Sequence, residues 1–144
     1  SKSLRKMGAA VTVFEAGRGP GGRMARRREG AYQFDHGAQF FYGENETFLR
    51  EVHEMRSKDI IKEWTGTFGS LQASGDRSVF YPEDTRTPRY VGVPSQSAIC
   101  RYQLDGIEVR CSTTVKELQW SGGQWHLFAQ PGTPGAHNEP LGSF

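Results

Sequence analysis

Glu15 closes a short β-branched and aromatic run, Val11-Thr12-Val13-Phe14, and Ala-Gly-Arg-Gly-Pro-Gly-Gly-Arg-Met follows at once over 16–24. A carboxylate at the end of a strand can take a ribose hydroxyl, as the acidic residue does after the second strand of a dinucleotide-binding βαβ unit. The glycines at 17, 19, 21 and 22 let backbone N–H groups approach an anion closely, and Arg18 and Arg23 can add charge-assisted donors to phosphate. Two readings fit these residues. One is a nucleotide cradle; the other is a tight surface turn after an edge strand, because glycine-rich turns are common.

A second stretch with chemical content is Phe34-Asp35-His36-Gly37-Ala38-Gln39-Phe40-Phe41, inside a run from Tyr32 to Tyr42 that holds five aromatic residues. Gly37 and Ala38 carry almost no side chain, so the backbone there can approach something flat and polar, such as a flavin. The alternative is a buried strand-to-loop corner in which Asp35 caps a turn and His36 is hydrogen-bonded. The third candidate is the basic patch Arg23, Arg26, Arg27 and Arg28. It reads either as a solvated face or as a polyanion contact. A net charge of +2 over 144 residues gives no global argument for nucleic acid, and no recognition module is visible, so nucleic acid is not expected as a partner. Cys100 and Cys111 have neither disulfide-scaffold nor zinc spacing, and no metal is expected. Free thiols imply a reducing compartment. No apolar run approaches the roughly 18 residues of a membrane span, and no leader pattern is present, so a soluble chain is expected.

The elements that must position these residues follow from periodicity. Leu4 and Met7, three apart, with Gly8 behind them, predict a helix that ends just before the strand at Val11. In a complete βαβ unit a first strand and a G-x-G-x-x-G turn would precede this helix, with the acidic residue about 20 positions after that turn. Glu15 has fourteen residues before it and no such pattern among them, so a fragment of that unit is expected. Ala25–Gly30 is charged, irregular or a strand edge, and alternation at Tyr32 and Phe34 predicts a strand. Asn45 should cap a helix over 45–57 with Phe48, Leu49, Val52 and Met55 or Arg56 on one stripe. Ile60–Phe68 reads as a strand. Gly69–Pro88 reads as a mobile loop with Val79-Phe80-Tyr81 as a short strand inside it. Ser95 should cap a helix to Leu104, with Ile99 and Cys100 facing the core, and Gly106 should end it. Ile107–Cys111 alternates as a strand, and a hairpin turns at Ser121-Gly122-Gly123. Gln130–Phe144, rich in Pro and Gly, reads as an unstructured tail.

Taken together, the segments resemble the renalase-like FAD-dependent amine oxidoreductases. The resemblance rests on V-T-V-F-E-A-G-R-G-P-G-G-R-M, F-D-H-G-A-Q-F-F, E-W-T-G-T-F-G-S, Y-V-G-V-P-S-Q-S-A-I-C-R and the V-K-E-L-Q-W…W-H-L hairpin, in that order, over roughly residues 1–129. The last three look most like the plant and algal branch. The resemblance implies an α/β chain: a partial Rossmann-like FAD-binding domain with part of a β-rich substrate domain. It divides as 1–45, the FAD-binding remnant and flavin-proximal segment; 46–105, a helix and substrate-domain strands; 106–129, a strand and hairpin returning to the FAD domain; and the tail. It further implies that Glu15 meets the adenosine ribose of FAD. Arg23, with the backbone of Gly21, Gly22 and Met24, and with Arg18 nearby, would lie along the pyrophosphate. Gly37, Ala38 and Gln39 would run beside the flavin ring, and the backbone of Val115 would meet the adenine. The implied reaction is hydride transfer from an amine or dihydronicotinamide-type small-molecule substrate to the flavin. Where the family commonly has glycine and methionine after Pro94, this chain has Ser95 and Gln96.

The absent G-x-G-x-x-G turn and distal substrate-domain half raise a second expectation, a non-catalytic subunit of a larger assembly. Its protein partners would cover the sheet edge beside Val11–Phe14. The plant and algal likeness points to a plastid.

Overall fold

The computed structural model describes residues 2–84, 86–129 and 140–144. Along the chain run α1 (Lys2–Lys6), β1 (Thr12–Phe14), a single 3-10 turn (Gly22–Met24), β2 (Arg26–Glu29), β3 (Tyr32–Asp35), α2 (Glu46–Ser57) and β4 (Ile61–Glu63). They are followed by β5 (Gly69–Ser74), β6 (Arg77–Pro82), β7 (Tyr90–Gly92), α3 (Ser97–Gln103), β8 (Glu108–Arg110), β9 (Val115–Ser121), β10 (Gln124–Ala129) and β11 (Pro140–Ser143). The chain forms two compact units, Ser1–Ala25 with Cys100–Phe144 and Arg26–Ile99, and the division passes through α3. Among the described residues no helix is long and apolar enough to cross a membrane.

In the first unit α1 ends where expected. Gly8 takes φ +86, and its N–H closes on the Arg5 carbonyl at 2.9 Å. β1 then pairs in parallel with β8, in register Thr12↔Glu108, Val13↔Val109 and Phe14↔Arg110. A parallel pair cannot be joined by a tight turn, so the long stretch of chain between the two strands is a geometric requirement. Thr12 Oγ1 donates to Glu108 at 3.0 Å across the register, and Arg110 Nε donates to the same carboxylate at 2.8 Å. The Arg110 hydrogen bond, with that of Thr12 behind it, holds the Glu108 carboxyl below its ordinary value.

The hairpin predicted at Gly122-Gly123 is β9–β10. Both glycines have positive φ, +58 and +79, as a two-residue hairpin turn of the right twist demands. The tail expectation needs correction at its end. Pro140–Ser143 is a strand, β11, which runs antiparallel to β10 with Leu127 opposite Gly142. Composition alone misled, because Pro and Gly are tolerated at the edge of a sheet, where one row of backbone groups needs no partner. The rest of that expected tail, 130–139, lies outside the described residues. Phe144 stands edge-on to Phe14, with ring centroids 6.4 Å apart.

The second unit holds every buried apolar side chain among the described residues: Val52, Met55, Ile61, Tyr90 and Ala98. Asn45 caps α2 as its position predicted, its side-chain oxygen accepting from the N–H of Thr47 at 3.0 Å and of Phe48 at 3.2 Å. The helix buries Val52 and Met55, while Phe48 and Leu49 at its start stay partly exposed. β4 pairs antiparallel with β7, Ile61 opposite Gly92. β4 stops at Glu63, short of the strand expected to Phe68. Gly69–Pro88 is more ordered than its Gly, Ser and Asp content suggested, because β5 and β6 form a hairpin that turns at Gly75, φ +59. The described side chains of both strands are exposed, so polar residues suit them as well as apolar ones. β2 and β3 form a further antiparallel pair, Arg26 opposite Asp35.

Two substitutions separate core from cap. Ile61→Ala, at 1% exposure, should cost about 3 kcal/mol, and Asn45→Ala about 1 kcal/mol. Urea denaturation of each variant checks both, and equal losses would contradict this assignment of the core.

Candidate functional site

Glu15 sits where the β1–β8 ladder gives way to the glycine loop. Its N–H continues the ladder to the Arg110 carbonyl at 2.9 Å, and its own carbonyl accepts the Thr113 N–H at 2.9 Å. The side chain turns back on the loop, with Oε1 accepting the Gly17 N–H at 2.6 Å. A Cβ on Gly17 would stand 3.0 Å from that oxygen, so a side chain there would crowd the carboxylate. Ser112 donates its N–H to the Gly17 carbonyl at 2.8 Å, and does so from a left-handed φ of +54. A non-glycine residue in that region is uncommon and is held there by its surroundings. Ser112 and Thr113 clamp the loop, and neither residue type nor spacing pointed to them.

Beyond Gly17 the chain reaches the 3-10 turn. Gly22 has φ +49, and the N–H groups of Met24 and Ala25 close on the carbonyls of Gly21 and Gly22 at 2.7 and 3.1 Å. A Cβ on Gly21 would meet Ala25 Cα at 3.1 Å. Arg18 and Arg23 are exposed. Neither guanidinium has a hydrogen-bond or ion-pair partner among the described residues. Val115 opens β9 two residues after Thr113, so the same end of the β1–β8 ladder carries Glu15 and leads to Val115. Cys100, read from the sequence only as a core residue, touches this loop: its Sγ lies 4.0 Å from the Gly21 carbonyl oxygen and 3.7 Å from Met24 Sδ. Burial pushes its thiol up from the ordinary value, Arg101 draws it partly back, and Glu15 adds to the rise.

Gly37, Ala38 and Gln39 belong to the second unit and follow β3 directly. Gly37 and Gln39 are exposed and Ala38 is half-buried. Just before them, Asp35 Oδ2 accepts the Gln96 N–H at 3.1 Å, so this carboxylate does cap a turn. Gln96 is fully buried, and its Oε1 takes the Gly92 N–H at 3.0 Å. Ser95 and Ser97 share a hydroxyl contact of 3.0 Å, and Gln33 Nε2 donates to the Pro94 carbonyl at 3.1 Å. Ser95 and Gln96, the two departures from the family pattern, are therefore inside the turn that ties β3 to α3. Asp35 Oδ1 and Gln96 Nε2 are buried without a hydrogen-bond partner.

Residues 1–54 match the family model for the NAD(P)-binding Rossmann-like domain. The match runs from α1 through β1 and the glycine loop into α2, and so contains Glu15, Arg18, the 3-10 turn and Gly37–Gln39. It supports a nucleotide-dependent oxidoreductase of the FAD- and NAD(P)-binding superfamily with a dinucleotide cofactor. The donor set fits such a ligand: a strand-end carboxylate, bare glycine backbone and two guanidinium groups without partners among the described residues.

Because the folded chain holds the Cys100 proton more tightly, the stability this provides is complete below the unfolded thiol's pKa and is lost as pH rises through the folded one. In a Cys111→Ser background, iodoacetamide alkylation of Cys100 should reach half its maximal rate above the ordinary thiol value of 9.0. A midpoint below 9.0 would show that the thiol is not shielded by the loop.

Proposed function

We propose that this chain binds FAD and serves a flavin-dependent oxidoreductase of the renalase-like amine oxidoreductase group. The observation that carries the reading is Glu15: a strand-end carboxylate fixed to its own glycine loop through Oε1, inside the segment that matches the Rossmann-like family. Its second oxygen, Oε2, has no protein partner among the described residues and is the atom offered to a ribose hydroxyl. A carboxylate there favours a free ribose hydroxyl over a phosphorylated one, by charge.

In this reading Gly21, Gly22 and Met24 present backbone to the pyrophosphate, with Arg18 and Arg23 supplying charge. Val115 contributes backbone toward the adenine. Gly37, Ala38 and Gln39 give the ring a surface without bulk. When bound, FAD supplies the hydride acceptor, and the substrate is an amine or a dihydronicotinamide-type molecule. The residues of this chain orient the cofactor and provide no nucleophile. By its likeness to the plant and algal branch, the protein works in a plastid. A second reading is favoured by the single pairing of β1: among the described residues this strand has β8 on one side and nothing on the other. A partner protein that adds a strand at that edge would make the chain a subunit of a larger flavoprotein assembly.

FAD titration followed by flavin fluorescence quenching tests the first reading. The chain should quench FAD saturably, and Glu15→Ala should weaken binding about tenfold, the loss of one charge-assisted hydrogen bond of about 1.4 kcal/mol. An unchanged affinity in Glu15→Ala would remove the cradle assignment. No binding by the chain alone, with binding restored in a complex purified from its source, would favour the subunit reading.

A further inference from the structure

In the second unit, β7 and the residues before it frame an open pocket of about 630 Å³, lined by Phe40, Tyr42, Asp84, Arg86, Thr87 and Arg89. The rings of Phe40 and Tyr42 are near parallel, at 28°, with centroids 6.5 Å apart, and Tyr42 is 61% exposed. Together they offer aromatic surface to a planar ligand, for which offset or edge contact at such distances is favourable. Arg89 is the fixed charge of the site. Its guanidinium lies 4.8 Å from the Phe40 ring and 4.4 Å from that of Phe68, and Nη2 donates to Glu83 Oε2 at 2.6 Å.

Trp64 packs on the same cluster, 5.0 Å from Phe68 and 5.9 Å from Phe40, and its N–H bonds the Arg89 carbonyl at 2.8 Å. Both the backbone and the head group of Arg89 are thus held, and a guanidinium held in place keeps more of its binding energy than a mobile one. Arg86, mostly exposed, pairs with Asp84 at 2.8 Å. Each guanidinium has five N–H donors and spends few of them on these carboxylates. Asp84 and Glu83 balance the two guanidiniums in charge, so what the pocket offers a negatively charged guest is the N–H donors that Arg86 and Arg89 leave unspent.

We propose that this pocket binds a planar aromatic ring carrying a carboxylate or phosphate group. The ring lies against Phe40 and Tyr42, and the anionic group takes the remaining donors of Arg89 and Arg86. The pocket shares no residue with the glycine loop, and the proposal stands whether or not FAD binds at that loop.

Ligand-observed NMR on the whole chain tests this with benzoate and phenyl phosphate, against cyclohexanecarboxylate for the ring and benzylammonium for the charge. Benzoate or phenyl phosphate should bind at least tenfold tighter than either control. Which of the two binds tighter identifies the preferred anion. Tyr42→Ala and Arg86→Ala change exposed side chains and leave the apolar core untouched, and each should lower the affinity severalfold; Arg89→Lys should nearly abolish it. Benzylammonium binding as well as benzoate, no binding of either anion, or full affinity in both Tyr42→Ala and Arg86→Ala would overturn the proposal.

Discussion

The first unit depends on the short parallel ladder between β1 and β8. Three register pairs fix Phe14 opposite Arg110, and the next two hydrogen bonds, Glu15 N–H to Arg110 and Thr113 N–H to Glu15, extend that ladder past the end of both strands. Through them Glu15 is held by backbone on two sides before its side chain does anything. The carboxylate can then spend one oxygen on Gly17 and keep the other free. The glycine loop inherits its position from the ladder, since Ser112 reaches across to Gly17 as well. Loosening the register would release the loop first, because the loop's remaining contacts are turns within itself and the Cys100 thiol.

Order in the second unit comes from a different source. Its apolar core is small, and the most deeply buried segment is polar: Ser95, Gln96 and Ser97 at the start of α3. Burying such groups is tolerable where they bond one another, and here Asp35, Gly92, Pro94 and Gln33 supply most of the partners. A network of this kind fixes geometry more strictly than apolar packing, since hydrogen bonds are directional and an unmade one is costly. The two atoms it leaves without partners, on Asp35 and Gln96, mark its imperfect point, and Asp35 stands two residues before the Gly37–Gln39 segment.

Legibility in the sequence followed the range of the interactions involved. Asn45 was readable as a cap because its partners are two and three residues away, and Gly122-Gly123 as a turn because the required dihedral angles are local. Gly8 was readable for the same reason. Composition misread β5 and β11, because exposed edge strands tolerate the Gly, Ser and Pro that also fill loops, whereas the strand expected at Val79-Phe80-Tyr81 is the middle of β6. Within the candidate site, Glu15 and the glycines announced themselves by type and order. Ser112, Thr113 and Cys100 did not, because each reaches the loop from roughly 80 to 100 positions away. Asp35 gave half a signal: an acid before His-Gly-Ala suggests a cap, but its acceptor role toward Gln96 is settled only by the fold.

The distribution of positive charge follows from what the carboxylates leave over. Arg110 is committed to Glu108, Arg89 to Glu83 and Arg86 to Asp84. Exposed pairs of this sort contribute little stability and are screened by salt. Their consequence lies in position: each pins one guanidinium and fixes where its remaining donors point. Arg18 and Arg23 have no such anchor among the described residues, so they keep their rotational freedom and all of their donors. An anion at the glycine loop would have to order both side chains, at a cost in entropy of about 1 kcal/mol or more for each. That cost divides the labour of the cradle. Specific recognition falls to the backbone and Glu15, which are already in place, and the two arginines add attraction that should weaken as salt rises.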